Sequence, residues 1–208
     1  MRINRLAPTA QLATAWLTMF LVGSELFVMS PLLPYLAADF QLSTVVAGWS
    51  VAAFSITYTL SAPLLGLFSD RVGRRRVLVC SLLALAAANL TTASAPNLPS
   101  LLGARLFAGV AAAGLSPSVY ALVAGAAPAD RRATYLGRTV SGLVVSLALG
   151  APTGALTGAS FGWRPVFVGF ASLSLLFGVA QFFGSGPTQA ASQHLTIGNH
   201  RLHFPRWF

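Results

Sequence analysis

Two charged residues lie deep inside apolar stretches of the sequence. Glu25 has no charged neighbour between Leu6 and Ala38, and Arg105 is the other charge well inside an apolar run. A carboxylate at membrane depth is costly and normally faces a cavity or a partner on a transport pathway, so Glu25 is a candidate proton carrier. The alternative is a structural acid paired with a neighbouring helix. A salt bridge between Glu25 and Arg105 would suit either role, but the spacing does not require one.

Each of these charges shares a helical face with residues that suggest a binding surface. Leu21, Glu25 and Met29 are four residues apart and therefore lie on one side of a helix. That side offers apolar area and one acid, which suits a lipophilic solute. Arg105 and Gly109 are spaced in the same way. The small residues beyond Arg105 either leave room for a solute or let another helix approach.

A short basic segment with an acid between two glycines follows the second apolar run. Its functional candidates are Gly66, Asp70, Arg71, Gly73, Arg74 and Arg75. The arginines cannot cross a bilayer cheaply, so they place this segment on the cytoplasmic side. Gly66 and Gly73 are expected to let the backbone reverse tightly. The plain interpretation is a topology anchor, whereas an acid among arginines favours a defined charge network.

Membrane helices must position these residues, because the composition excludes a soluble fold. The chain has 208 residues, of which 55% are hydrophobic and 8% charged, whereas a soluble domain carries about 25% charged residues. Its 13 basic residues are all arginines and cluster in short turns between apolar runs, so the net charge of +9 does not indicate nucleic-acid binding. With a single cysteine, no lysine for a nucleotide loop and no catalytic triad, the sequence predicts no enzyme, no cofactor and no metal site.

Six apolar runs are long enough to span a bilayer, which takes about 20 residues. They cover residues 12–36, 44–68, 77–93, 100–124, 134–158 and 165–183. They predict an all-α integral membrane protein, with a six-helix membrane bundle at 1–186 and a polar, aromatic cytoplasmic tail at 187–208. Eleven arginines fall on the side of the N-terminus and one on the opposite side. Both termini are therefore expected in the cytoplasm.

The six runs divide into two sets of three with a common feature. Ser30 and Pro31 in the first run correspond to Ser116 and Pro117 in the fourth. Two inverted three-helix repeats, with interrupted helices in matching places, are typical of secondary transporters. The alternative is chance in a membrane sequence rich in proline and serine.

The fifth run carries a stripe of small residues at four-residue spacing. The stripe consists of Gly142, Ser146, Gly150, Gly154 and Gly158. Such stripes let helix backbones meet closely in lipid. Pro152 in the same run removes a backbone donor and favours a bend. Helix packing alone explains a stripe of this kind.

The basic segment resembles the loop between helices 2 and 3 of the major facilitator superfamily. That family's pattern is Gly-x-x-x-Asp-Arg-x-Gly-Arg-Arg/Lys, and the six functional candidates of the segment all match it. Arg105 and Gly109 resemble the family's helix-four pattern Arg-x-x-Gln-Gly, with Ala108 in place of Gln.

Two further segments resemble the family's efflux members. Gly150, Pro152 and Gly154 are similar, imperfectly, to the antiporter signature of the drug-efflux branch. The segment Gly-Trp-Arg-x-x-Phe at 162–167 is similar to a frequent junction between helices five and six in bacterial members, especially those resembling arabinose-efflux permeases.

The resemblance covers about residues 12–183 and implies the N-terminal half of a transporter with two six-helix halves and a substrate path between them. It implies a secondary active transporter in the cell inner membrane that exports small lipophilic or sugar-like solutes by proton antiport. In the family, the basic segment is a conformational latch between the halves, and the glycine stripe packs against a helix of the second half.

The expected partners are a small-molecule substrate, protons and the lipid bilayer, together with a second copy of this chain or a missing C-terminal half. Alone, the bundle is expected to expose Glu25, Arg105 and the glycine stripe to lipid, which favours self-association or poor stability. The alternative function is a truncated, transport-inactive remnant or a membrane interaction module.

Overall fold

Helices make up the part of the protein that the structure describes. The computed structural model describes residues 8–183, so the predicted tail at 187–208 lies outside the described residues. The helices in chain order are α1 Pro8–Phe27, α2 Met29–Asp39, α3 Thr44–Ala47, α4 Trp49–Val72, α5 Arg74–Ala93, α6 Leu98–Ala113, α7 Leu115–Ala126, α8 Arg132–Phe161 and α9 Arg164–Phe183. Between residues 8 and 183 the chain forms no β-strand, which confirms the predicted all-α class.

The helices account for the six predicted apolar runs in order. Five segments between residues 8 and 183 are long and apolar enough to cross a bilayer, and the bent pair of α1 and α2 makes a sixth. In that set, α3 with α4 forms one segment and α6 with α7 forms another. The boundaries differ from the predicted ones by a few residues, mainly because several helices extend into the polar turns.

Two spans are interrupted just before a serine–proline pair. The chain bends by 43° between α1, which ends at Phe27, and α2, which begins at Met29. Pro31 cannot donate a backbone hydrogen bond, and its ring crowds the carbonyl group four residues earlier. Pro117 stands in the same relation to the break at Gly114 between α6 and α7. These matching breaks support the inverted three-helix repeats, which stay a prediction.

The helices pack mainly in three pairs: α1 along α8, α4 along α6, and α5 along α9. Of the unbent spans, α5 is the most buried and α4 the most exposed. Two apolar clusters fill the interior, one including Leu21 and Ala108 and the other Met29 and Leu101. The change from one cluster to the other therefore falls at the end of α1, next to Glu25, and within α6, next to Arg105.

The basic segment at residues 66–76, which we call the α4–α5 turn, reverses the chain at a single residue. Helix α4 continues to Val72 and α5 begins at Arg74, so only Gly73 lies between them. Gly73 has a φ of 110°, which L side chains rarely adopt. The prediction that Gly73 permits the reversal is confirmed. The same prediction for Gly66 is wrong, because Gly66 lies inside α4 and packs beside Pro117.

Candidate functional site

The structure brings Glu25 and Arg105 together in the middle of the bundle. Glu25 lies in the last turn of α1, and Arg105 lies in the middle of α6. The Nη1 atom of Arg105 is 3.4 Å from Glu25 Oε2, and the side chains of Arg105 and Glu25 are 1% and 0% exposed. The pairing that the sequence left open is therefore present, and it is fully buried.

Asn89 of α5 completes the polar contacts of the carboxylate. Its side-chain amide donates a hydrogen bond to Glu25 Oε1, and the residue is itself buried. Each carboxylate oxygen of Glu25 thus accepts a hydrogen bond from a different helix. Hydrogen bonds to both oxygens stabilise a carboxylate that has left water. Sequence reasoning missed Asn89, although an amide inside an apolar run was a signal that could have found it.

Two phenylalanine rings enclose the guanidinium group of Arg105. Its Cζ atom lies 4.4 Å from the ring centroid of Phe54 in α4 and 5.5 Å from that of Phe167 in α9. Both rings are buried. Cation–π attraction of this kind strengthens when the cation has lost its water. No sequence pattern pointed to Phe54, whereas Phe167 ends the Gly-Trp-Arg-x-x-Phe segment.

The cluster keeps hydrogen-bonding capacity beside the ion pair. Among the described residues, neither Arg105 Nε nor Asn89 Oδ1 has a hydrogen-bond partner. A buried donor or acceptor without a partner usually costs free energy and needs a structural or functional explanation. The five side chains Glu25, Asn89, Arg105, Phe54 and Phe167, which we call the central cluster, come from five different helices.

The other residues predicted to line this site serve as packing. Leu21 and Met29 are fully buried in separate apolar clusters, since the bend at Val28 interrupts their common face. The α4 backbone lies directly over Gly109, where a Cβ atom would collide with the carbonyl oxygen of Phe54. Of the two alternatives beyond Arg105, room for a solute or approach of a helix, the structure shows the approach of a helix.

The glycine stripe of α8 faces α1 and α2 of the same chain. All its members are buried: Gly142, Ser146, Gly150, Gly154 and Gly158. A Cβ atom at Gly154 would lie 3.0 Å from the carbonyl oxygen of Val28, and one at Gly158 would lie 2.7 Å from Leu32 Cδ2. The expectation that the stripe meets a helix of a second half is therefore wrong. Pro152 is exposed, and α8 continues through it.

The bundle also buries what it was expected to expose. Glu25 and Arg105 are 0% and 1% exposed, and the glycine stripe is covered by α1 and α2. The expectation that a lone bundle shows these groups to lipid is wrong. Self-association was predicted on that ground, so this support for it is removed.

The charges of the α4–α5 turn bind neighbouring helices of the same bundle. Arg74 Nε lies 3.0 Å from Asp70 Oδ1, and an Nη1 atom of Arg74 donates to the carbonyl oxygen of Ala121 in α7. Arg75 donates to the carbonyl oxygen of Gln181 in α9 at 2.6 Å. The last carbonyl groups of a helix lack intrahelical partners, so a basic side chain is favourable there. Arg71 is exposed to solvent.

Comparison with known proteins agrees with this architecture. A family profile described as the Major Facilitator Superfamily matches residues 15–202. The uncharacterized MFS-type transporter YceJ of Bacillus subtilis is 33% identical over 158 residues, which are 76% of this chain and 40% of that protein.

Two relatives are named for drug resistance. The chloramphenicol resistance protein of Streptomyces lividans is 32% identical over 173 residues, covering 82% of this chain and 44% of that protein. The multidrug resistance protein MdtG of Salmonella paratyphi A is 33% identical over 171 residues, covering 80% of this chain and 42% of that protein. The chain thus spans less than half the length of each of these relatives.

Proposed function

The chain belongs to the Major Facilitator Superfamily, and we propose that it forms the N-terminal half of a secondary active transporter that exports small lipophilic or sugar-like solutes in exchange for protons. In this proposal Glu25 carries the proton. Arg105 holds the carboxylate when it is charged. The transported solute and the proton are the small-molecule partners, and the bilayer surrounds the bundle.

The observation that carries this proposal is the burial of Glu25 between groups from different helices. Its two oxygens accept hydrogen bonds from Asn89 and Arg105, and all three residues are at most 1% exposed. Protonation would remove the charge that attracts the guanidinium group. Because Phe54 and Phe167 contact the same guanidinium group, helices α4 and α9 would also be affected. One proton could thus bias the packing of five helices, which is what coupled transport requires.

The relatives support export and a small organic solute. One is named for resistance to chloramphenicol and another for multidrug resistance. For this chain we infer the same broad class of cargo, small lipophilic solutes, with sugar-like solutes as the second candidate.

We further propose a location in the cell inner membrane with both termini in the cytoplasm. The arginine distribution supports this orientation, because arginine-rich turns are retained on the cytoplasmic side. The α4–α5 turn would then face the cytoplasm. There Asp70, Arg71, Arg74 and Arg75 would act as a latch that is remade in each transport cycle.

A transport measurement in sealed vesicles tests the proton role. Glu25→Gln keeps the size of the side chain and resembles the protonated acid, but it cannot release a proton and offers one acceptor oxygen where the carboxylate offers two. We expect it to abolish solute movement driven by a proton gradient while retaining exchange of labelled for unlabelled solute. Asp130→Asn is the matched control, because that carboxylate pairs with Arg131 on the exposed surface. Gradient-driven transport by Glu25→Gln at the parental rate would remove Glu25 from the coupling mechanism.

The alternative is a transport-inactive remnant or a membrane interaction module. The chain spans 40–44% of the length of the three relatives named above. Vesicles containing this chain alone, and vesicles containing it with a separately expressed C-terminal half of a relative, distinguish the possibilities. Transport by the chain alone supports a self-associated transporter. Transport only with the added half supports the half-transporter, and no transport in either supports the alternative.

A further inference from the structure

An exposed acid at one end of the bundle joins three helices. Asp39 is the last residue of α2, and its Oδ2 accepts a hydrogen bond from Trp163 Nε1 at 3.1 Å and pairs with Arg164. Arg164, the first residue of α9, also donates to the carbonyl oxygen of Ala95 at 3.1 Å, just beyond α5. We call Asp39, Trp163 and Arg164 the Asp39 clamp.

Aromatic rings order the clamp and connect it to the interior. The Cζ atom of Arg164 lies 4.5 Å from the centroid of Trp163 and 6.0 Å from that of Phe40. Trp163 is only 3% exposed. Its ring meets Phe167 edge-on, with centroids 6.1 Å apart and an interplanar angle of 72°. Edge-to-face pairs are a favoured arrangement of aromatic rings.

Phe167 lies between this clamp and the central cluster. It follows Arg164 by one turn of α9, is fully buried, and faces the guanidinium group of Arg105. The contacts therefore run without interruption from Asp39 through Trp163 and Phe167 to Arg105, and from there to Glu25. Helix α9 therefore contributes to both sites: Arg164 lies in the Asp39 clamp and Phe167 in the central cluster.

We propose that Phe167 is a positioning residue for Arg105, and that the Asp39 clamp fixes Phe167 by holding the first turn of α9 in place. The Phe167 ring closes one side of the guanidinium group, with Phe54 on another. Releasing Asp39 would free α9 to rotate or slide and would withdraw the ring from Arg105. The meaning of this arrangement for transport rests on the proposed function, whereas the positioning itself does not.

The competing explanation is that the clamp only ties three helix ends together. In that case the clamp would contribute the same stability whether or not Arg105 is present. A positioning device must instead lose its effect when Arg105 is absent. Contacts that follow one another in space do not establish coupling by themselves, so coupling must be measured directly.

A double-mutant cycle on thermal unfolding of the purified chain in detergent makes this measurement. Asp39→Asn and Arg105→Gln are each expected to lower the unfolding midpoint by roughly 3 °C or more. The double variant is expected to lose little more than Arg105→Gln alone. The same result is expected for Phe167→Leu combined with Arg105→Gln. Additive losses in both cycles would overturn the proposal.

Control cycles use residues of the same kind that do not contact the central cluster. Asp130→Asn removes an exposed ion pair elsewhere, and Phe182→Leu removes an exposed ring near the opposite end of α9. Each is expected to be additive with Arg105→Gln. If Phe167→Leu does not fold, Trp163→Phe serves instead. It keeps a ring next to Phe167 but loses the hydrogen bond to Asp39, and the same non-additivity with Arg105→Gln is expected.

Transport by the same variants separates the two proposals. Asp39→Asn is expected to lower the maximal rate several-fold with little change in the half-saturating solute concentration, and Asp39→Glu is expected to restore most of it. If no solute moves, either with this chain alone or with the added C-terminal half, but the thermal cycles are non-additive, the proposed function fails and the positioning role stands. If transport occurs and the cycles are additive, the positioning role fails and the proposed function stands.

Discussion

The central cluster and the α4–α5 turn each contain a carboxylate–guanidinium pair, but in opposite surroundings. The Glu25–Arg105 pair is 0% and 1% exposed at 3.4 Å, and the Asp70–Arg74 pair is 57% and 43% exposed at 3.0 Å. The shorter contact is thus the one that water can replace. At about 4 Å, two unit charges attract by about 1 kcal/mol in water and by about 4 kcal/mol at an effective dielectric constant of 20. The surroundings, more than the distance, decide what each pair does.

The two pairs therefore differ in two properties: how much stability the protein loses when one partner is removed, and how much the intact pair stabilises the fold. A buried pair costs much to desolvate, so the loss of one partner is severe although the intact pair adds little. An exposed pair stabilises the fold only slightly, and the loss of one partner therefore also costs little. Glu25 and Arg105 therefore depend on each other, whereas Asp70 and Arg74 reinforce a turn that the backbone already defines.

The largest effect should come from removing one partner of the buried pair. Arg105→Gln leaves the Glu25 carboxylate buried with the amide of Asn89, and we expect a loss of about 3–5 kcal/mol in the free energy of unfolding. Arg74→Gln removes an exposed pair and a bond to Ala121, and we expect a loss of about 1 kcal/mol. Equilibrium unfolding in mixed detergent micelles measures both.

The double variant Glu25→Gln with Arg105→Gln is the control for this prediction. Two neutral amides carry no buried charge, so most of the stability lost in Arg105→Gln should return. A double variant that is less stable than either single variant would show that the pair stabilises the bundle outright, and the contrast with Asp70–Arg74 would be wrong.

The α4–α5 turn was predictable from the sequence because its signal is local. The acid, the arginines and the glycines lie within a few residues of one another. A tight turn between two helices requires a residue that tolerates unusual backbone angles, and Gly73 is such a residue. What the sequence could not decide was which glycine makes the turn. Helix α4 extends past Gly66, where Pro117 of a distant segment packs beside it.

The central cluster could be predicted only in part, because its contacts join residues far apart in the sequence. Glu25 and Arg105 were found as isolated charges, yet 80 positions separate them. Periodicity shows which residues share a face of one helix, but not which helix faces it. Phe54 was missed for that reason, since only tertiary packing brings it to the pair, whereas Asn89 did carry a local signal as an amide inside an apolar run.

For the glycine stripe, too, the sequence pattern does not identify the helix that packs against it. A stripe of small residues predicts close approach of a helix without identifying that helix. The structure supplies α1, in which Gly23 is itself so close to α8 that a Cβ atom there would lie 2.8 Å from Leu143 Cδ1. Small residues on both helices allow this contact, so no second half is needed to cover the stripe.

A smaller effect tests whether the α4–α5 turn depends on its backbone more than on its charges. Gly73→Ala places a side chain at a φ of 110°, and we expect a loss of roughly 1–3 kcal/mol. Gly66→Ala is the matched control within the same segment. Its Cβ atom would lie 3.5 Å from Pro117 Cβ, an ordinary contact, and alanine favours the helix by about 1 kcal/mol.

The two glycine variants should therefore change the free energy of unfolding in opposite directions. Unfolding in mixed micelles, with helix content followed by circular dichroism, measures both changes. Equal destabilisation by Gly73→Ala and Gly66→Ala would mean that close packing along α4, and not the conformation of the turn, explains the glycines of this segment.

The smallest effect concerns Asp70, and its dependence on salt is more informative than its size. Asp70→Asn removes the partner of Arg74 in a turn that also holds Arg71, Arg75 and Arg76, so repulsion among the arginines is less compensated. We expect a loss of about 0.2–1 kcal/mol at low ionic strength. Because the screening length falls from about 10 Å at 0.1 M salt to about 3 Å at 1 M, this loss should shrink as salt is added.

The loss caused by Arg105→Gln should not respond to salt in the same way, because ions do not reach a pair that is 0% and 1% exposed. The two pairs can therefore be compared by measuring the free energy of unfolding at low and at high salt. The proteins measured are the parent, Asp70→Asn and Arg105→Gln. A salt-insensitive loss in Asp70→Asn would mean that this carboxylate acts through its fixed hydrogen bond to Arg74 Nε. The turn would then resemble the central cluster more closely than its exposure suggests.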